Sequence, residues 1–236
     1  MPIETTRSQL DKMMNVPRFA VILSGCGYKD GTEVNEAVIA LLAINKAGAS
    51  YELFAPNVDQ QNVIDHITGK SSQEKRNALT EAARIARGKI SDILDLDPNQ
   101  YDALIIPGGT GVVTTLSSVT EDVMKSTVLP SVQAKIIDFF RQKKPIGAIC
   151  IAPALIAKIL RPFALDLKLT LGKHNNLLDI LEVTQEISTA DEIVVDKKNK
   201  IVSCPAFMID NTSLSTAAAG IFKLVDEILL FVRSAK

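Results

Sequence analysis

The chain has 236 residues, with 26 Lys+Arg against 27 Asp+Glu, a net charge of -1, 47% hydrophobic and 22% charged residues. That composition describes one α/β-sized globular domain that needs no metal or disulfide staple. The balanced charge gives no electrostatic case for binding nucleic acid or an anionic membrane. Cysteines stand at positions 26, 150 and 204 without CxxC spacing, and two histidines complete the set of soft ligands. A disulfide framework, a zinc site and a histidine-rich metal site are therefore not expected, and a reducing cytoplasm is. The first 18 residues carry charges throughout and lack an apolar run of signal-peptide length. They read as an extension, with Met13 or Met14 as alternative starts, ahead of a single domain over 19–236. The apolar runs Ala37 to Ile44 and Ala154 to Leu160 are too short to span a bilayer.

Phe19 to Leu23 is a short apolar strand ending in the turn Ser24-Gly25-Cys26-Gly27. A helix is expected from about Thr32 to Lys46, stopped by Gly48. Tyr51 to Ala55 is the next strand, and 57–72 reads as a polar, irregular insertion. Glu74 to Arg87 is a second helix ended by Gly88; its Arg76, Arg84 and Arg87 are either a solvated face or anion contacts. Ala103 to Ile106 is a buried strand followed by Pro107-Gly108-Gly109-Thr110-Gly111. Ser131 to Arg141 is a helix. Pro145 to Ile149 is a strand running straight into Cys150 and a helix that continues through Leu160. Strands are expected at 167–171, 192–195 and 200–203, and a closing helix at 213–232. Alternating strands and helices imply a doubly wound parallel sheet, with any ligand outside the carboxyl ends of its strands.

Ala148-Ile149-Cys150-Ile151-Ala152-Pro153 places a cysteine where a buried strand turns into a helix, the arrangement of a nucleophile elbow. Small residues two before and two after keep that turn free of clashes, and alanines fill both places. Pro153 suits a first helical turn. The helix N-terminus is expected to lower the thiol pKa and favour thiolate. The bland alternative is a small buried hydrophobe. The Gly108-Gly109 pair offers backbone N–H groups free of side chains, so Gly109 and Ile151 can form an oxyanion hole over the sulfur. A plain glycine turn is the alternative there. No Lys-Ser/Thr pair follows, so the loop is not a P-loop.

The segments SGCGYKDGTEVNEAV, RNALTEAARIARG, ALIIPGGTG, KPIGAICIAP and DEIVVDKKNKIV resemble, in order, the ElbB-type glyoxalases. These belong to the ThiJ/PfpI group of the class I glutamine-amidotransferase-like superfamily. The resemblance runs from about Phe19 to Val232. It implies a flavodoxin-like three-layer sandwich with a mainly parallel sheet, a homodimer, and a reactive elbow cysteine. It also implies cofactor-independent, metal-free conversion of glyoxal or methylglyoxal to a hydroxy acid, and a link by name to isoprenoid output. In ThiJ/PfpI proteins an acidic residue of the first helix, twelve residues before the glycine that ends it, touches the cysteine. That position here is Glu36, with Glu33 one turn earlier as its rival. In some superfamily members a histidine follows the cysteine by about twenty to twenty-five residues. His174 lies 24 residues on and is either a base or a surface loop residue. Asn35 stands where relatives have a histidine. Cys26, within the matched SGCG, takes a supporting role beside Gly108, His66 a structural one, and Cys204 a place in the core.

Three functions follow. The first is a glyoxalase in which Cys150 adds to a small 2-oxoaldehyde and Glu36, helped by His174, moves a proton between carbons. The second is a glutamine amidotransferase, against which stands the absence of any H-x-E pattern. The third is a non-enzymatic redox sensor or regulator linked to isoprenoid metabolism through an oxidisable Cys150.

Overall fold

A computed structural model describes residues 16–119, 123–164 and 166–235. The expected extension therefore lies almost wholly outside the described residues. A seven-stranded sheet runs through the described chain in the order β3-β2-β1-β4-β5-β9-β8. Its members are β1 (Arg18–Ile22), β2 (Ser50–Ala55), β3 (Ser91–Asp92), β4 (Ala103–Ile106), β5 (Ile146–Ile149), β8 (Val194–Asp196) and β9 (Ile201–Cys204). All pairings are parallel except β8 with β9. Strands β6 (Lys168–Leu169) and β7 (Thr184–Gln185) pair in a separate small parallel sheet.

Both faces of the main sheet are covered. β1, β4 and β5 are buried along their whole length, which is why they read as unbroken apolar runs. Side chains nevertheless alternate between two cores. Ala103 and Ile105 face one core with helices α1 (Val34–Lys46) and α7 (Leu214–Ser234). Leu104 and Ile106 face the other, with α4 (Pro130–Arg141) and α5 (Ala152–Leu160). This is an α/β, flavodoxin-like three-layer arrangement. β1 lies between β2 and β4, so the winding reverses there, and the carboxyl ends of β1, β4 and β5 converge at the switch point.

The remaining elements differ from the pattern reading for identifiable reasons. Helix α2 covers Ala78–Ile85 rather than starting at Glu74, because Asn77 caps it by accepting from the Thr80 N–H at 3.0 Å. The residues ahead of it are tied to the insertion instead: the Gln60 N–H donates to the Arg76 carbonyl at 2.7 Å. The expected strand over 167–171 shrinks to two residues, because the Thr170 N–H turns to the Ser203 hydroxyl at 3.1 Å. Two short helices, α3 (Gly111–Thr114) and α6 (Asn176–Ile180), and the two-residue strands β3 and β7 carry too little periodicity to be read from sequence.

The insertion 57–72 forms neither helix nor strand but folds onto the turn after β1. Asp30, fully buried, accepts from the Ile64 N–H at 2.7 Å. The Gln60 side-chain amide donates to the Asp30 carbonyl at 2.9 Å. His66 receives the Lys29 N–H on Nε2 at 3.3 Å and meets Tyr28 edge-on, with ring centroids 5.4 Å apart. His66 thus pins the insertion against the loop that leads into α1.

Candidate active site at the Cys150 elbow

Cys150 is the hinge between β5 and α5. Its φ of 60° lies in the left-handed region, where a side chain is strained. The strain is held from both sides. The Cys150 N–H donates to the Cys204 carbonyl at 2.8 Å, extending the β5–β9 ladder one residue past the strand. On the far side Pro153 starts α5 with no N–H to satisfy. Ala148 and Ala152 flank the elbow at zero exposure, leaving no room for larger side chains.

Glu36 reaches the sulfur from α1. It is fully buried among the apolar residues Ala37, Ala40 and Ile44 of the same helix. One carboxyl oxygen accepts from the Gly108 N–H at 2.9 Å and the other faces the Phe207 N–H at 3.4 Å. The carboxyl lies beside the Cys150 thiol: the position a Cβ on Gly108 would take is 2.7 Å from Glu36 Oε2 and 3.0 Å from Cys150 Sγ. The N–H groups of Gly109 and Ile151 adjoin the same sulfur and favour its anion. One sulfur thus faces one carboxyl and two backbone donors.

The glycine pair permits this closeness. A Cβ on Gly108 would lie 2.4 Å from Cys150 Cβ and 2.7 Å from Glu36 Oε2. Gly109 has φ +97°, and a Cβ there would lie 2.3 Å from both the Glu33 nitrogen and the Gly31 oxygen. Those obstacles are backbone and cannot swing aside. Gly109→Ala is expected to lose on the order of 3 kcal/mol or more of stability. Urea unfolding checks this, and a wild-type midpoint would contradict the geometry.

The electrostatics reverse one expectation. Burial, followed by the charge of Glu33, pushes the Glu36 carboxyl up to about 8, against the opposing hydrogen bonds from Gly108, Cys150 and Phe207. Burial and the adjacent Glu36 push the Cys150 thiol well above its ordinary value. The donors Gly109 and Ile151 pull the other way but do not win. The α5 N-terminus therefore does not produce a low-pKa thiolate, because desolvation of an 8%-exposed cysteine beside a carboxyl outweighs a helix terminus. Both shifts favour the protonated forms, carboxylic acid and thiol.

The other residues singled out in the sequence fall in distinct places. Glu33 is the N-cap of α1, accepting from the Glu36 N–H at 2.6 Å, one turn short of the sulfur. His174 lies outside the group that contacts Cys150. Its side chain is 64% exposed and its Nε2 is 3.2 Å from Asp179 Oδ2. Cys26 is half-buried, and its thiol is pushed up by burial and then by Glu81, with Arg84, Asp30 and Arg76 also acting on it. Cys204 is buried and points its thiol at the Ala190 carbonyl. The Phe207 and Gly108 N–H contacts to Glu36 carry no sequence signal, since backbone donors 171 and 72 residues away leave no trace in residue type.

A strained cysteine elbow at the switch point of a doubly wound sheet, met by a buried helix glutamate and a glycine-loop donor, defines a class of α/β proteins built around a thiol–carboxyl pair. The chain belongs to the DJ-1/PfpI family, which matches residues 26–206. It is 40% identical over 225 residues to the human glutamine amidotransferase-like class 1 domain-containing protein 3, mitochondrial, covering 90% of this chain and 82% of that protein. It is 34% identical over 209 residues to the zebrafish mitochondrial ES1 protein, covering 80% and 76%. Among solved structures, an isoprenoid biosynthesis protein with amidotransferase-like domain from Ehrlichia chaffeensis matches with TM-score 0.87 and 37% identity, over 92% of this chain and 99% of that one. Drosophila DJ-1beta, at 16% identity and TM-score 0.51 over 93% and 97%, shares the fold.

Proposed function

We propose that the protein is a cofactor-independent glyoxalase of the ElbB type that converts a small 2-oxoaldehyde to the 2-hydroxy acid. The observation that carries the reading is the fully buried Glu36 carboxyl set beside the Cys150 sulfur at the glycine pair, where burial pushes its pKa up to about 8 and favours the acid form. A neutral carboxylic acid is bifunctional: one oxygen accepts a proton while the other releases one. The Cys150 S–H adds to the aldehyde, forming the sulfur–carbon bond, while Glu36 relays the thiol proton to the carbonyl oxygen. In the resulting hemithioacetal the same carboxyl removes the proton from C1 and delivers its own to the C2 oxygen, giving an enediol. A second relay takes the C1 hydroxyl proton and protonates C2, leaving a thioester of the hydroxy acid. Water attacks C1, the sulfur–carbon bond breaks, and the thiol regains its proton. Glu36 is a protonated acid at the end of every step. The Gly109 and Ile151 N–H groups stabilise negative charge developing next to the sulfur.

The alternative readings are less well supported by the site. Oxidation acts on thiolates that are accessible, and Cys150 is neither. A glutamine amidotransferase needs a histidine against the cysteine, whereas the groups acting on this sulfur are a carboxyl and two backbone amides.

The test is methylglyoxal turnover by the wild-type protein with chelator present and no added thiol, followed by NMR of the product in D2O. Lactate carrying deuterium at C2 is expected, because the relayed proton exchanges at the Glu36 carboxyl. No lactate, or lactate without deuterium at C2, would sink the proton-relay mechanism.

A further inference from the structure

We propose that Glu33 is the positioning residue of this site, locking the Glu36 carboxyl between Gly108 and Cys150 and opposing a second negative charge beside it. The inference concerns the thiol–carboxyl pair itself and does not depend on the substrate.

The geometry is a closed ring of hydrogen bonds. The Glu33 N–H donates to the Gly108 carbonyl at 2.9 Å. The Gly108 N–H donates to the Glu36 carboxyl at 2.9 Å. The Glu36 N–H donates back to the Glu33 carboxylate at 2.6 Å. The first turn of α1 therefore grips both sides of the Gly108 residue, one residue from the Gly109 donor on the sulfur. The Asn35 side-chain amide donates to the other Glu33 oxygen at 3.1 Å, fixing the carboxylate's direction. Burial pushes the Glu33 carboxyl up, and the N–H bonds from Glu36 and Asn35, together with the helix N-terminus, oppose that rise and favour the anion. An N-cap needs only an acceptor, which Ser, Thr or Asn supplies as well. A charged cap one turn from a buried acid does more: it opposes a second negative charge on Glu36.

The ionisable groups bearing on Glu36 come from three elements. Glu33 comes from the α1 start, Cys150 from the elbow, and Cys204 from the end of β9. Of these, Glu33 is the one whose charge raises the Glu36 carboxyl, second only to burial.

The experiment is an NMR pH titration of the Glu36 carboxyl, which reads its ionisation directly and needs no reagent to reach Cys150. Glu33→Gln keeps an acceptor for the cap and deletes the charge. Its Glu36 titration is expected to move toward acid by about half a unit to one unit, with the Tm at pH 5 unchanged. Glu33→Ala deletes both and is expected to show the same acid displacement with the Tm about 2–4 °C lower. A Glu33→Gln profile coincident with wild type overturns the proposal. Carboxyl NMR of the unmutated protein gives an independent check: Glu33 must ionise at lower pH than Glu36, and the reverse order also overturns it. Neither readout involves methylglyoxal, so failure here and failure of the glyoxalase reading are separable.

Discussion

Cys150→Ala is expected to lower methylglyoxal turnover by at least about 10³-fold while leaving the fold intact. The proposed chemistry is covalent from its first step, so without the sulfur Glu36 and the two backbone donors are left with no adduct to act on. Serine does not restore it. A hydroxyl is a weaker nucleophile than a thiol, and among the described residues the one side chain acting on position 150 is the Glu36 carboxyl, whose acid form burial favours. Folding is spared because alanine removes a single buried atom and already fits at 148 and 152 on either side. The φ of 60° at this position strains any L-residue, so Cys150→Gly is expected to gain about 0.5–1 kcal/mol from relief of that strain, equally without activity. Initial rates and thermal unfolding on the three variants check both statements. An alanine variant within tenfold of wild-type turnover would remove Cys150 from the mechanism.

The elements that could be read from residue order are those whose burial is uniform or periodic. β1, β4 and β5 are apolar on both faces, and α7 carries an apolar stripe from Ala217 to Val232. The elbow was legible because a cysteine between two alanines, followed by a proline, has few structural uses. Glu36 could be located against Glu33 only through the family spacing, since both acids lie on one side of the same helix. The ring through Gly108 explains the division of labour, with one glutamate capping and the other reaching the sulfur. What residue types could not convey was the balance of forces on the thiol. A helix terminus is visible in sequence, whereas the completeness of burial is a property of the packed molecule. The same holds for His174. Its spacing from the elbow is that of a partner, but its ring lies in an exposed loop against Asp179. The insertion carried no periodic signal because its anchors, Asp30 to Ile64 and His66 to Lys29, are single contacts across more than thirty residues.

Glu36→Gln is expected to stabilise the protein at neutral pH and to abolish most of its turnover. In the unfolded chain the carboxyl ionises near 4.5, and in the folded protein only near 8. Its folded value is raised, so the fold favours the protonated form. The contribution is fully present below pH 4.5, declines as the pH climbs toward 8, and is lost above it. Each pH unit corresponds to about 1.4 kcal/mol, so over the 2.5 units from 4.5 to pH 7 the buried acid costs on the order of 3 kcal/mol relative to a side chain that never ionises. Glutamine is such a side chain. Its amide oxygen can still accept from Gly108, and it fits the same space. The variant is therefore expected to match wild type in stability at pH 4–5 and to exceed it at pH 7–8, by roughly 4–10 °C in Tm. An amide cannot pass protons between its two ends, so turnover should fall at least about 10²-fold. The wild-type kcat/KM should itself decline above pH 8 as the acid form of Glu36 disappears. Denaturant unfolding of both proteins at pH 5 and pH 8 decides the matter, and curves that stay parallel across the two pH values would refute the buried-acid account. A group that destabilises its own core, and is nonetheless held there by a capped helix, a glycine pair and a strained elbow, is explained by the chemistry it performs rather than by the stability of the fold.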